Sequence, residues 1–358
     1  MKQMVQTKKS CIWVSNWLFL GVAMLIVQVI LGGVTRLTGS GLSITEWDPI
    51  MGFLPPLNEG GWQHAFHQYQ QIAQFKYMNF DFTLSDFKHI FFWEWFHRLW
   101  ARSIGVVFLI PFIYFIIKKH IKPWMIQPLI GLFLLGAMQG LIGWIMVKSG
   151  LNDENLYVNH IKLAVHFVAA MVLIAYTLLF ALMIRVPQTQ KVANPSLKKF
   201  TVLIIVVLFI QIMYGAFMAG LKAASAAPTW PTINGMWLPD AFWKESITQN
   251  LFFNKITIHF IHRTLAYIIL ILLIIWYRKA SQVKQSDWLN VTKKLFIALV
   301  ALQVLLGIAA ILASPGIVLG KFGLFEWLAE LHQVVGMLLL LSMITNAYLL
   351  LFKKTNNT

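Results

Sequence analysis

The 358-residue chain is 58% hydrophobic and only 12% charged, and its mean hydropathy is +0.69. A water-soluble domain carries roughly twice that charged fraction, so a fully solvated surface is excluded and lipid is the expected solvent. The net charge of +16 does not indicate nucleic-acid binding, because the basic residues fall in short clusters between apolar stretches, and the single cysteine, Cys11, excludes a disulfide framework and thiol-pair chemistry.

Eight apolar segments predict transmembrane helices, and each reaches the roughly 20 residues that are needed to span a bilayer. Because backbone polar groups have no water partners in hydrocarbon, each segment is expected to be α-helical. The first segment is long enough to be an uncleaved anchor rather than a signal peptide. The predicted segments are residues 12–35, 92–117, 124–147, 160–184, 200–221, 256–277, 294–314 and 327–352.

The distribution of charge between these segments predicts the orientation of the chain. Lysine and arginine concentrate at both termini and in three short connections, residues 118–122, 185–199 and 278–294, whereas only one of the 13 acidic residues, Asp287, lies on that side. By the positive-inside rule this side is the cytoplasm, so both termini are expected there. The long connections, residues 36–91 and 222–255, then face the extracytoplasmic side of a bacterial inner membrane.

The sequence also repeats. His97 and His262 are 165 residues apart, and His166 and His332 are 166 apart. Gln-x-x-x-Gly motifs mark the other four helices, and four helices per half give both halves the same orientation, which is a parallel repeat. The predicted fold is therefore an all-α polytopic membrane protein, with two tandem four-helix bundles formed by residues 1–185 and 186–358. The four motifs are Gln28–Gly32, Gln139–Gly143, Gln211–Gly215 and Gln303–Gly307.

The four repeated histidines are candidate metal ligands. Each lies five to seven residues inside the predicted outer end of its helix, about 8–10 Å deep at about 1.5 Å per residue. Ionisable residues at such depth are costly and usually functional, and helix bundles build cofactor sites from facing side chains. One histidine per helix fits bis-imidazole haem ligation, with His97 paired with His166 and His262 paired with His332. The alternative is that they are buried histidines hydrogen-bonded to neighbouring helices.

One acidic residue distinguishes the two halves. Glu94 lies three residues before His97, and the equivalent position in the second half is His259. A carboxylate beside a porphyrin can accept a proton or stabilise positive charge, so the first half is expected to react and the second to transfer electrons. Alternatively, Glu94 orients a ligand or pairs with an arginine.

The positions of the other arginines, histidines and glutamates along the chain suggest their roles. Candidate ligands for haem propionates are Arg36, Arg98, Arg102 and Arg263, although an arginine at this depth can also extend to the interface. The histidines expected to be solvated are His64, His67, His89, His120 and His160, and Glu326 and Glu330 are expected at the membrane interface.

Several motifs together resemble those of the haem A synthase family, nearly from end to end of the chain. They are Gly32-Gly33-Val34-Thr35-Arg36-Leu37-Thr38 and Ser40-Gly41-Leu42-Ser43, then Trp47, Pro49, Gly52, Pro55 and Pro56, then Glu94-x-x-His97-Arg98, His166, Trp230-Pro231-Thr232-x-Asn234-Gly235, His262-Arg263 and His332. Some bacterial members carry cysteine pairs in their outer loops. This chain has none there and resembles the cysteine-free subgroup of proteobacteria and mitochondria.

The resemblance implies an oxidoreductase that converts the C8 methyl group of haem O to a formyl group, with oxygen from water. It implies haem O as the substrate, or haem A as the product, between His97 and His166. It also implies a permanent haem b between His262 and His332, and it matches Glu94 to a functionally important glutamate. Expected partners are haem O synthase, cytochrome oxidase assembly factors and membrane lipid, with no nucleic acid. The oligomeric state stays open, a homo-oligomer included.

Two other classes of function remain as alternatives. A di-haem b-type electron carrier or reductase usually places ligands in both leaflets, whereas these four histidines are all predicted on one side. A transporter predicts helices broken at mid-membrane depth and a polar path through them. Haem O or A together with haem B would indicate the synthase, haem B alone a carrier, and no haem a transporter.

Overall fold

The computed structural model describes residues 2–46, 51–240, 245–283, 286–318 and 320–351. Trp47 and Pro49 of the motifs above lie outside the described residues, as do the basic residues at the C-terminus. Among the described residues, eight helices are long and apolar enough to cross a membrane. The prediction of an all-α, eight-span membrane protein is therefore confirmed. The division at residue 185 stays a prediction.

The helices follow one another in the expected order, with short additional helices in the long connections. They are α1 (Lys2–Leu37), α2 (Glu59–Gln70), α3 (Ala73–Met78), α4 (Leu84–Ile117), α5 (Pro123–Lys148), α6 (His160–Arg185), α7 (Pro195–Gly220), α8 (Ile247–Phe252), α9 (Lys255–Ser281), α10 (Asp287–Ala313) and α11 (Leu324–Leu349). Two short strands, β1 (Val192–Ala193) and β2 (Leu350–Leu351), pair in parallel and join the connection after α6 to the end of α11.

One helix begins well before its apolar segment. Helix α4 starts at Leu84 rather than near residue 92, because Thr83 and Asp86 form a capping box at that point. Hydropathy detects only the part of a helix that lies in lipid, so the polar first turns of α4 were missed. His97 accordingly lies more than three turns along α4, whereas the other three candidate ligands lie about two turns from their helix starts.

The described parts of the connections 38–83, 149–159, 221–254 and 314–323 meet at one end of the bundle, which we call the long-loop end. There α2, α3 and the start of α4 enclose a small aromatic core. Phe87 is fully buried within it, with its ring centroid 5.2 Å from that of Phe66 and 5.4 Å from that of Tyr69. The hydroxyl of Tyr69 donates to Gln74 and accepts from Asn79. This packing holds the first long connection against the membrane helices as an ordered cap.

The membrane helices pack into one continuous bundle. Helix α1 contacts α4 and α6 in the first half, while α7 contacts α9 and α11 in the second. Helices α6 and α11 lie between the halves, and the largest apolar core includes residues of both, such as Ile174, Trp276 and Leu340. This arrangement turns the histidine-bearing helices toward the interior, where a shared cavity lies.

Candidate functional site

Every residue that the sequence predicted for the site lines one internal cavity of about 1710 Å³. Its walls include the four candidate histidine ligands, the candidate carboxylate Glu94 and the four candidate arginines. The cavity runs through both halves of the bundle and reaches the long-loop end. The structure therefore brings the predicted residues together in one space.

Each histidine packs against the glycine of a Gln-x-x-x-Gly motif on the neighbouring helix. A Cβ atom at Gly143 would lie 2.9 Å from Cε1 of His166, and one at Gly307 would lie 2.9 Å from Cε1 of His332. Such distances leave no room for a methyl group, so glycine lets the imidazole lie directly on the facing backbone. The remaining pairs, with a corresponding distance of 3.3 Å, are Gly32 with His97 and Gly215 with His262.

The glutamine of the same motif lies one helical turn from the glycine and forms a hydrogen bond with the histidine residue on the facing helix. Nε2 of Gln139 donates to the backbone carbonyl of His166 at 2.9 Å and lies 3.2 Å from Nδ1 of its ring. In the last pair, Nδ1 of His332 donates to the backbone carbonyl of Gln303 at 3.1 Å. The sequence shows the motif, but its contact with the histidine becomes evident only from the packing of the facing helix. The other two glutamines, Gln28 and Gln211, donate to the carbonyls of His97 and His262 at 3.3 and 3.1 Å.

The two histidines of the second half face each other across the cavity. The ring centroids of His262 and His332 are 6.4 Å apart and their planes are inclined at 73°. Two metal–imidazole bonds of about 2 Å each account for most of this distance, and the two ring radii make up the rest. The separation of the rings is thus compatible with one metal ion between them, while both ring nitrogens of His332 lie beside Gln303 in this structure.

Glu94 is almost completely buried and connects the first long connection to α4. Its Oε2 atom accepts hydrogen bonds from the Ser43 hydroxyl at 2.8 Å and the Ile44 backbone N–H at 2.9 Å. Its Oε1 atom forms an ion pair with Arg98 at 2.6 Å. A carboxylate has about four acceptor sites, so these three donors leave one on Oε1. The alternative that Glu94 pairs with an arginine is thus correct for Arg98. Ser43 was not recognised as a partner because it lies 51 residues away.

The two His-Arg dipeptides place their arginines in equivalent roles. Arg98 donates to the carbonyls of Ile44 and Glu46, in the first long connection. Arg263 donates to the carbonyls of residues 227, 229 and 232, in the second. Each arginine therefore ties a long connection to the helix that carries a histidine. Fewer of their donors remain for propionates than the sequence suggested.

The seam between the halves holds charged groups with few partners. Arg36 donates to the carbonyl of Ala219 at 3.4 Å, and its Nε atom is buried without a hydrogen-bond partner. Glu326 and Glu330 are buried within the protein, each 5% exposed, and their expected level at the membrane interface stays a prediction. Glu326 caps the start of α11 through the Gly323 N–H, whereas both carboxylate oxygens of Glu330 are buried without a hydrogen-bond partner and interact electrostatically with Arg36.

The expected solvation of the remaining histidines is confirmed for three of the five. His64, His67 and His89 are exposed. His160 is buried instead, because its Nε2 donates to the carbonyl of Phe252 at 2.7 Å and its ring packs between aromatic neighbours. Sequence could not show this contact, which joins α6 to the second half.

Two further residues of the cavity wall were not predicted as site residues. His259, the counterpart of Glu94, is fully buried. Lys222 follows α7 with a left-handed φ of 50°, and its ammonium lies 3.6 Å from the ring centroid of Tyr157. Burial, followed by the charges of Arg36 and Lys255, lowers the pKa of Lys222 to about 8.

Comparison with known proteins identifies the family of this chain. The model of the COX15-CtaA family, described as a cytochrome oxidase assembly protein, matches residues 15–344. A protein of Nitrosospira multiformis named heme A synthase is 39% identical over 84% of this chain and 85% of its own length. Proteins of the same name from Rhodopseudomonas palustris and Flavobacterium johnsoniae are 42% and 37% identical, over 84% and 91% of this chain and 81% and 94% of their own lengths. The chain therefore belongs to the COX15-CtaA family of cytochrome oxidase assembly proteins, the family that its motifs resemble.

Proposed function

We propose that this protein is a haem A synthase, an oxidoreductase that converts the C8 methyl group of haem O to a formyl group. Three relatives that match this chain over most of their own length carry the name heme A synthase. The observation that carries the proposal is the placement of two histidine pairs, one in each half, along one cavity. The inner membrane, with the long-loop end outside, is the proposed location, and haem O synthase and oxidase assembly factors are the proposed partners.

The second half fits a resident haem b. Among the described residues no three metal-ligating side chains cluster, but a haem, whose porphyrin supplies four nitrogens itself, would need only two side chains, and His262 and His332 would provide them. His262 and His332 have the spacing for this, and Gly215 and Gly307 leave room for their rings. When bound, haem b supplies one-electron transfer. The protein's part is to hold both rings, exclude water and keep the iron close to the first half.

The first half fits the substrate. His97 and His166 lie against Gly32 and Gly143 as the second pair lies against its glycines, so they can bind the iron of haem O in the same manner. Glu94 is one turn from His97 on α4 and also lines the cavity. The second half has a histidine in its place. This difference supports chemistry in the first half and electron transfer in the second.

Glu94 is suited to assist the attack of water on the substrate. Loss of one proton and two electrons from the C8 methyl group of haem O would leave a positively charged carbon, whose charge the conjugated ring spreads; the electrons would pass one at a time through the proposed haem b to an external electron acceptor. The remaining acceptor site on Oε1 can orient the water or take its proton, while the negative charge stabilises the carbon centre. Two such oxidations give a geminal diol, which loses water to leave the formyl group.

Haem extraction tests the proposal against its alternatives. The protein is expressed with haem O synthase, purified, and its pigments are separated by chromatography and identified by mass. We expect haem B together with haem O or A, and a spectrum of two bis-imidazole sites. Haem B alone would support the electron carrier, and a protein without haem would contradict both.

A further inference from the structure

The cavity extends deeper into the membrane in the first half than the ligation of a porphyrin requires. Beyond the histidines it continues between α1, α4, α5 and α6, away from the long-loop end. We call this part the inner channel. Its wall includes Trp17, Gly21, Gly105, Phe108, Gly136 and Gly140. Trp17 lies three turns from Gln28 along α1, which is about 16 Å at about 1.5 Å per residue.

The inner channel is open because of its glycines. A Cβ atom at Gly105, Gly136 or Gly140 would meet no atom within 4 Å, so these glycines border empty space rather than a close helix contact. Apart from Arg102, one turn from Gly105 on α4, the wall is apolar at this level. The hydroxyl of Thr177, which also faces the channel, is bonded within α6 to the carbonyl of Leu173 at 2.8 Å. The channel therefore suits a hydrocarbon chain.

The second half has larger side chains at the equivalent positions. The offset of 165 residues between His97 and His262 places Leu270 opposite Gly105. The offset of 164 residues between Gln139 and Gln303 places Val300 and Val304 opposite Gly136 and Gly140. At a lower level Leu132 corresponds to Phe296, which is fully buried against Trp276 with ring centroids 5.0 Å apart. The equivalent positions thus carry glycine in the first half and larger apolar side chains in the second, where Leu270, Val300 and Val304 line the same cavity.

We propose that the inner channel binds the farnesyl tail of haem O. This inference rests on the proposed function and assigns the tail to a defined place in the first half. The channel is continuous with the cavity at His97 and His166 and mostly apolar, and its depth of about 16 Å, at about 1.5 Å per residue, is close to the length of an extended farnesyl chain. Haem b has no such tail, which agrees with the larger side chains at the equivalent positions of the second half. The channel would therefore favour the tailed porphyrin at the reactive site.

Filling the channel with the residues of the second half tests the assignment. Gly105→Leu and Gly136→Val, made singly, add side chains where the structure has open space, so both variants are expected to fold. Full-length protein in lipid nanodiscs is titrated with ferric haem O and, separately, ferric haem B, and the bis-imidazole spectrum is followed. We expect each variant to bind haem O about tenfold more weakly, or about 1.4 kcal/mol, with haem B binding unchanged. Ala301→Leu, on an exposed face of α10, is the matched control.

Each outcome has a distinct meaning. Unchanged haem O affinity in both filled variants, or an equal loss for haem O and haem B, overturns the tail assignment; a lipid acyl chain in the channel would give the first result. Neither result affects the proposed function as long as His97→Ala abolishes the haem O signal in the otherwise normal protein. If His97→Ala leaves that signal intact, the substrate site itself is misplaced and the proposed function fails at that point.

Discussion

Glu94 joins a long connection to a membrane helix through three donors while one acceptor site on its Oε1 atom stays available. The contacts with Ser43, Ile44 and Arg98 hold the carboxylate in place, and its charge is the feature that an amide lacks. The same residue can therefore position the cap and assist the reaction. Substitutions that remove the shape and the charge separately distinguish these roles.

Glu94→Ala and Glu94→Gln are expected to retain haem but to form no haem A. The alanine variant leaves the partly buried Arg98 without its carboxylate, and breaking a buried pair costs about 3–5 kcal/mol, so it is expected to melt earlier. The glutamine variant keeps an acceptor for Ser43 and Ile44 and is expected to be more stable. Haem content, thermal melting and haem A yield check this. Haem A at the normal yield from either variant contradicts a chemical role for the charge.

Lys222 gives the protein a predicted pH dependence. Its ammonium lies near Arg36, Lys255 and the ring of Tyr157, and its pKa is about 8 in the folded protein against 10.5 for a solvated lysine. Below pH 8 both folded and unfolded chains carry the proton, so the cost of the buried charge is complete. Between pH 8 and 10.5 the unfolded chain binds more protons, so stability rises with pH.

Lys222→Met removes this cost at every pH. The variant is expected to melt at a higher temperature than the normal protein at pH 7, and the difference is expected to shrink as pH rises toward 10. Melting curves at a series of pH values measure it. A difference that does not change with pH shows that the buried charge of Lys222 does not control stability.

Helix pairs are the units that hold the candidate ligands. In each pair the histidine ring packs against a glycine. A glutamine one turn from that glycine contacts the backbone carbonyl or the ring of the same histidine. The glutamine oxygens of all four pairs are buried without partners. A change at one glycine should therefore act on one haem site and leave the other intact.

Gly307→Ala is expected to weaken haem binding in the second half only. Its Cβ atom would lie 2.9 Å from Cε1 of His332, and overpacking of this kind costs about 1–3 kcal/mol, or about tenfold in affinity for each 1.4 kcal/mol. Reduced-minus-oxidised spectra per mole of protein measure the loss. Gly316→Ala, where a Cβ atom meets open space, is the control. Equal haem retention in both variants contradicts the role assigned to the glycine.

Sequence patterns predicted these pairs only in part. Hydropathy located the eight spans and the constant offset located the histidines, because both depend on composition and spacing along one chain. The start of α4 at Leu84 depended on a capping box outside the apolar segment. The burial of Glu330 and His160 depended on helices far away in sequence, α1 for the first and the end of α8 for the second. Contacts of that kind need the packed bundle.

The two halves have the same arrangement of helices but differ in the side chains that line their interiors. The seam is formed by α1, α6, α7 and α11, which pack across it so that both histidine pairs share one cavity. The first half has glycines and a carboxylate where the second half has larger apolar side chains and a histidine. This difference in the lining is what we expect if, as proposed, one half binds a substrate and the other a permanent cofactor of nearly the same shape.

The orientation of the bundle is a prediction that the single cysteine makes easy to test. Replacing Cys11 by serine gives a cysteine-free chain, into which Glu59→Cys and Asn155→Cys are introduced at the long-loop end and Gln282→Cys at the opposite end; all three positions are exposed. Because lysine and arginine concentrate at the opposite end, the long-loop end is expected outside. A membrane-impermeant maleimide added to spheroplasts should label the first two variants, and label the third only after lysis. Labelling of Gln282→Cys in intact spheroplasts would reverse the topology and place both histidine pairs toward the cytoplasm.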